Sequence, residues 1–170
     1  MIQTIFFDRD GVLNEEVGYL HEIEKFKWVE GARDAIKFCN EHGILAIVVT
    51  NQGGIALGLY TAREVDALHA FMQKELAEIG AHIDAFYYCP HRPQGTVKEF
   101  TIVCECRKPK PGLILRACED FKINPAQAIL FGDSARDIEA ARAANLRAGI
   151  FFTGGNLLEA IKNYLAEGES

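Results

Sequence analysis

Asp8 closes a short apolar run, Ile2 to Phe7, and Asp10 follows two positions later. A carboxylate can attack phosphorus and carry the phosphoryl group as an acyl phosphate that water then hydrolyses. A second acid two residues on, where the chain leaves a strand, falls on the same side. Asp10 can therefore protonate the leaving oxygen and later deprotonate the attacking water. Carboxylate and phosphate repel, so the attack needs a cation between them. Mg²⁺ takes hard oxygen ligands and keeps several waters, so two or three carboxylate or carbonyl oxygens suffice. Asp8 and Asp133, the latter in Gly132-Asp133-Ser134, are the natural side-chain ligands. Thr50 and a lysine would hold the equatorial oxygens, where transition-state charge must be stabilised.

These residues converge only if particular elements carry them. Ile2 to Phe7 and Ile44 to Val49 are aliphatic runs of the kind found in strands covered on both faces. Asp84 to Tyr88, Ala128 to Phe131 and Ala148 to Phe152 read as further strands. Between them lie helical patterns: Gly31 to His42, a helix from the capping box Thr61/Glu64 to about Ile79, Pro111 to Phe121, Ala135 to Ala144, and Leu157 to Leu165. Alternating strands and helices predict an α/β fold with a mostly parallel sheet. Ligands of such sheets bind beyond the carboxyl ends of the strands. Those ends hold Asp8-Arg9-Asp10-Gly11, Thr50-Asn51-Gln52-Gly53-Gly54 and Gly132-Asp133-Ser134, with Asp137 in the turn after. Arg107-Lys108 lie just before the helix that begins near Pro111.

The segment from 90 to 110 is too long and too polar for an ordinary connection. It is flanked by Cys89-Pro90-His91 and Cys104-Glu105-Cys106. Three thiols and an imidazole match a closed tetrahedral zinc site, which would be structural. Zinc on Cys89, His91, Cys104 and Cys106 would fold the loop of about 89–106 and aim Arg107 and Lys108 at the site. The alternative is separate buried thiols beside a surface histidine. Cys39 and Cys118 read as small core residues, and His42, His69 and His82 as helix-surface or cap residues. His21, near the first acidic motif, is placed to line the site.

With 170 residues the chain is read as a single domain, residues 1–170. A formal charge of −6 argues against nucleic acid as the main partner. No apolar run is long enough to span a bilayer, and no basic region precedes an apolar stretch at Met1. A cytoplasmic location, no membrane partner and a monomer without heptad patterning are expected.

The residues resemble the four motifs of the haloacid dehalogenase superfamily: Asp8-Arg9-Asp10-Gly11-Val12-Leu13-Asn14, Thr50-Asn51-Gln52, Lys108, and Gly132-Asp133 with Asp137. The resemblance implies a three-layer Rossmann-like fold with no large cap domain. It implies Asp8 as nucleophile, Asp10 as acid/base, Thr50 and Lys108 as phosphoryl stabilisers, and Mg²⁺ on Asp8, the Asp10 carbonyl and Asp133. The cysteine loop, the Arg107-Lys108-Pro109-Lys110-Pro111-Gly112 stretch and Gly18-Tyr19-Leu20-His21 are similar to the heptose bisphosphate phosphatases within it. That similarity implies removal of the C7 phosphate of D-glycero-D-manno-heptose 1,7-bisphosphate, leaving a 1-phosphate for nucleotide-activated heptose synthesis. Glu16, Val17, Gly18, Tyr19, Asn51, Gln52, Gly53, Arg107 and Ser134 would then contact the small phosphorylated sugar. The histidinol-phosphate phosphatases carry a comparable loop and are the next resemblance. Where the heptose bisphosphate phosphatases usually have Arg and Lys, this chain has Leu57 and Ser134. A non-catalytic zinc-stabilised phosphate-binding module is the competing class, and it would not need both Asp8 and Asp10.

Overall fold

The computed structural model describes residues 1–168. Five strands, β1 (Thr4–Phe7), β2 (Leu45–Asn51), β3 (Ala85–Cys89), β4 (Ala128–Gly132) and β5 (Ala148–Phe151), form one sheet in the order β3-β2-β1-β4-β5. Every pairing is parallel. Five α-helices connect or follow the strands: α1 (Ala32–Glu41), α2 (Ala62–Ala77), α3 (Gly112–Phe121), α4 (Ala135–Ala143) and α5 (Leu157–Glu167).

Side chains alternate across the strands, so each strand feeds two cores. Ile5, Phe7, Val48, Ile129 and Phe131 face α1, α2 and α5, with Ile36, Met72, Leu76 and Ile161 packed against them. Phe6, Ile47, Val49 and Leu130 face α3 and α4, against Ile114, Ala117, Ala140 and Ala141. The result is three layers, as predicted. Burial of each phenylalanine stabilises the sandwich by roughly 1.5–3 kcal/mol. No inserted domain interrupts the described residues: the segment between β1 and α1 holds a 3₁₀ turn, Ile23–Lys25, and isolated bridges from Asn14 to Asp10 and Trp28. No described helix is long and apolar enough to cross a membrane.

The strand and helix bounds match the sequence reading to within a few residues. The Thr61/Glu64 capping box forms, with both reciprocal bonds present. Pro111 sits at the N-cap of α3 rather than inside its first turn. His69 is a correction. It is buried, stacked 4.2 Å from the Phe86 ring, and not on the helix surface. Its position on α2 alternates with Val65, Leu68 and Met72 toward the core, and only a polar partner in that core explains an imidazole there.

Gly132 ends β4 where α4 folds back over it. A Cβ at this position would stand 2.6 Å from Asp137 Oδ2 and 2.5 Å from Asp137 Cγ. Gly132→Ala is expected to destabilise the protein by about 1–3 kcal/mol through overpacking. Urea unfolding measures this, and an unchanged midpoint would show that Asp137 can shift at no cost.

Candidate active site

The carboxyl ends of β1, β2 and β4 meet at a polar cavity of about 120 Å³. Asp8, Asp10, Thr50, Lys108 and Asp133 all line it, so the sequence-predicted catalytic residues converge. The Asp8 amide donates to Phe131 O at 3.0 Å, which seats the residue just past β1 and beside β4. The Lys108 ammonium, 3% exposed, donates to Asp8 Oδ1 at 2.9 Å, Asp137 Oδ1 at 2.6 Å and Val49 O at 2.8 Å. The sequence places Asp137 in the turn after Asp133, as part of the fourth motif, and assigns it no role of its own. Its Oδ2 accepts from the Asp133 and Ser134 amides at 3.2 Å and from the Ser134 hydroxyl at 3.1 Å. Asp137 therefore holds Lys108 and the Asp133 turn together, with its own oxygens saturated.

Burial pushes the Asp8 carboxyl up to about 8, with Asp137 adding to it and Lys108 pulling the other way. Burial also raises Asp133. Burial lowers Lys108, but Asp8 and Asp137 outweigh it and hold the ammonium above its ordinary value. Ligand oxygens of Asp8, Asp133 and Asp137 lie within 4.8 Å of one another. Gly11, at φ +89°, leaves room for the Asp133 carboxylate; a Cβ there would collide with it. The Asp133 carboxylate thus lies against the backbone that follows the Asp10 carbonyl. Two carboxylates that resist ionisation, next to a backbone carbonyl, form an all-oxygen donor set that suits Mg²⁺. Both Asp137 oxygens already accept bonds from within the protein, so Asp8 and Asp133 are the side chains better placed to serve.

The Asp10 carboxylate, which also borders the cavity, is held by a separate set of donors. It accepts from Arg9 Nε and Nη2 at 3.0–3.2 Å, from Asn14 Nδ2 at 3.0 Å and from Gln52 Nε2 at 3.1 Å. Arg9 is fully buried, and its other donors reach Leu20 O at 3.1 Å and His69 Nε2 at 3.3 Å. Burial, then Arg9, pushes His69 down to about 3, so the ring is neutral and accepts from the guanidinium. Arg9 and His69 are the site residues that the sequence reading missed. The signal was Arg9 itself, a charged residue directly after an apolar strand.

The remaining expectations divide. Thr50 is buried, and its hydroxyl accepts from Gln52 Nε2 at 2.9 Å. Asn51 grips the Lys108 backbone by two bonds, Lys108 N to Oδ1 at 2.9 Å and Nδ2 to Lys108 O at 3.1 Å. Ser134 lines the reaction cavity and Glu16 lines both it and a second cavity of about 290 Å³ beside it. Gly18, Tyr19, Gln52, Gly53 and Arg107 line the second cavity. Val17 lines neither and is exposed. His21 is not a lining residue; it stacks on Tyr60, at 5.1 Å, which is one.

Cys89, His91, Cys104 and Cys106 form one cluster, with ligand atoms within 4.8 Å of one another. Neighbouring ligand atoms stand at 3.5 Å (Cys89 to His91 Nδ1, Cys89 to Cys104, Cys104 to Cys106), 3.3 Å (His91 Nδ1 to Cys106) and 2.7 Å (Cys89 to Cys106). Zn–S bonds of about 2.3 Å place tetrahedral ligands roughly 3.8 Å apart, so the cluster fits a zinc centre once its ligands spread by a few tenths of an ångström, and by about 1 Å between Cys89 and Cys106. The thiols are free. The hydrogen bond shared with Cys89 pulls Cys106 down to about 5, and the same bond raises Cys89.

Known proteins agree with this geometry. Residues 14–145 match the haloacid dehalogenase-like hydrolase family. D-glycero-beta-D-manno-heptose-1,7-bisphosphate 7-phosphatase of Yersinia pestis is 40% identical, covering 99% of this chain and 87% of the relative. The Escherichia coli K12 protein of the same name is 42% identical over 91% of this chain and 81% of its own length. Among solved structures, D,D-heptose 1,7-bisphosphate phosphatase from B. bronchiseptica, complexed with magnesium and phosphate, superposes with a TM-score of 0.81 at 29% identity, covering 95% of this chain and 87% of that one.

The Lys108 contacts carry a measurable load. Lys108→Met leaves two buried carboxylates facing each other with no cation between them. A loss of about 3–5 kcal/mol in unfolding free energy is expected. Urea titration that finds less than about 1 kcal/mol would show the pair to be far more solvated than its burial indicates.

Proposed function

The chain belongs to the haloacid dehalogenase-like hydrolases, and we propose that it removes the C7 phosphate of D-glycero-D-manno-heptose 1,7-bisphosphate through a phosphorylated Asp8. The observation that carries this reading is the convergence of Asp8, Asp10, Thr50, Lys108 and Asp133 on one small polar cavity, in a chain about 40% identical to heptose bisphosphate phosphatases along nearly its whole length.

In the proposed reaction an Asp8 carboxylate oxygen bonds to phosphorus as the bond from phosphorus to the C7 oxygen breaks. Asp10 delivers a proton to that oxygen, and the dephosphorylated sugar 1-phosphate departs. Asp10 then takes a proton from water as it attacks phosphorus, freeing Asp8 and inorganic phosphate. The Thr50 hydroxyl and the Lys108 ammonium hold the equatorial oxygens. Mg²⁺ bound by Asp8, Asp133 and the Asp10 carbonyl would supply the positive charge that lets a carboxylate approach a phosphate. Lys108 keeps Asp8 oriented by the 2.9 Å bond to Oδ1.

We assign the cysteine loop a structural zinc. Its role is to position Arg107 and Lys108, which follow Cys106 directly. Arg107 Nη1 donates to His91 O at 3.2 Å, which ties the arginine to a residue of the metal cluster. Free thiols in such a site suit a reducing compartment, so the reading places the protein in the cytoplasm, acting as a monomer.

Phosphate release should be measured with both anomers of the heptose bisphosphate and with histidinol phosphate. Fastest release from a heptose bisphosphate is expected; preference for histidinol phosphate would overturn the substrate. Asp8→Asn should fold, by circular dichroism, and lose at least about a thousandfold in kcat. Full activity in that variant would remove Asp8 from the mechanism.

Metal analysis of protein purified without chelator should find zinc. Its removal should lower both the thermal midpoint and turnover, with recovery on zinc and not on magnesium. Protein that contains no zinc and is fully active would end the structural-zinc assignment.

A further inference from the structure

The protein is acidic, at −6, and several exposed lysines sit beside acids. Lys25 pairs with Glu22, Lys27 with Glu15, Lys37 with Glu41 and Lys110 with Glu105. Arg92, Arg107 and Arg136 depart from that pattern. Among the described residues none of the three is paired with a carboxylate, yet they are gathered at the mouth of the site. Burial, followed by the charges of Arg136 and Arg92, lowers the pKa of Arg107. Like charges so placed repel one another unless an anion comes between them.

The surroundings are shaped to keep them there. A Cβ on Gly53 would stand 2.7 Å from Arg92 Cγ and 2.8 Å from Arg107 Nη1, so Gly53 clears the space they occupy. Arg92 Nη1 donates to the Tyr19 hydroxyl at 2.8 Å, and Arg107 Nη1 to His91 O at 3.2 Å. Arg136, in the first turn of α4, has an exposed side chain and makes no hydrogen bond to the rest of the described protein. It lines both the reaction cavity and the larger cavity beside it, where Arg107 also lies. Glu16 lines both cavities as well, and its carboxylate accepts from the Gly18 amide at 2.7 Å. Asp10 borders both cavities too, but its carboxylate is taken up by Arg9, Asn14 and Gln52, which leaves the Glu16 carboxylate to meet sugar hydroxyls. It does not balance three guanidinium groups.

We propose that Arg136 and Arg107 clamp the non-reacting phosphate of a sugar bisphosphate in the larger cavity, and that Arg136 sets the preference for a bisphosphate over a monophosphate. The inference rests on the sugar-phosphatase reading above. Phosphate fits because a guanidinium offers parallel donors matched to two of its oxygens, and because two negative charges offset the crowding of cations. A neutral sugar end would leave the repulsion in place. Leu57 and Ser134 carry no charge, and Ser134 is committed to capping α4 through Asp137. Arg136, two residues on, provides the charge that those positions do not.

The test compares kcat/KM for D-glycero-D-manno-heptose 1,7-bisphosphate and for the corresponding 7-phosphate, which lacks the remote phosphate. Both are measured on wild type, Arg136→Gln and Arg136→Lys. In Arg136→Gln the ratio of the two constants should fall about tenfold or more, chiefly through KM for the bisphosphate. Arg136→Lys should fall in between, since an ammonium keeps the charge and loses the fork. A ratio that changes by less than about twofold in Arg136→Gln overturns the inference and leaves the substrate reading standing. A wild type that releases phosphate from neither heptose overturns both.

Discussion

One buried ammonium holds the site together. Lys108 Nζ bonds Asp8, Asp137 and the Val49 carbonyl, all within 2.9 Å. Through them it touches the end of β1, the last residues of β2 and the helix that follows β4. Burial opposes each of these charges separately, as the raised Asp8 and Asp133 show. Together they are tolerable because each oxygen of Asp137 is answered, one by the ammonium and one by the Asp133–Ser134 turn. Such an arrangement is a poor source of net stability and a strong source of geometry. It leaves few poses in which Asp8 can stand.

Lys108 itself arrives on a segment with little to fold it. Residues 90–110 have few buried apolar side chains, and Val103 and Ile102 are exposed. Three restraints substitute for a core. The Cys/His cluster joins the two ends of the loop at the end of β3. Asn51 brackets the Lys108 peptide groups by paired bonds. Gly112 N donates to Glu105 O at 2.9 Å, and a Cβ at Gly112 would run into the Glu105 backbone. The position of one cation in the site is therefore set by a loop that the cluster, Asn51 and the Gly112 contact hold in place of a core. Loss of that cluster would reach the chemistry through Lys108 without any ligand residue touching substrate.

The sheet and its order of helices were legible because aliphatic runs and capping signals are local. Ile44 to Val49 and Thr61/Glu64 identify themselves within a few residues. The site was legible because parallel strands deliver their ends to one edge, so Asp8, Thr50 and Asp133 had to meet. What stayed hidden was non-local. His69 lies 60 positions from Arg9, and a helix pattern cannot say that an imidazole will face a buried guanidinium. Arg136 carries no mark in the sequence, since nothing near it there points to the cavity it borders. Val17, named with its neighbours Glu16 and Gly18, is exposed and borders neither cavity, because in a loop neighbouring side chains point in different directions.

Arg9 and His69 bear on the hardest demand the proposed reaction makes, which is that Asp10 act first as acid and then as base. Donors from Arg9, Asn14 and Gln52 all reach the Asp10 oxygens and fix where they stand, so one orientation of the carboxylate must serve both steps. Arg9 is held in turn by Leu20 O and His69. Burial, with the ring stacked on Phe86, keeps His69 neutral, down at about 3. His69 therefore directs the guanidinium without placing a second cation behind it, and the pose of Asp10 is set by a chain of contacts that reaches from the end of β1 to α2.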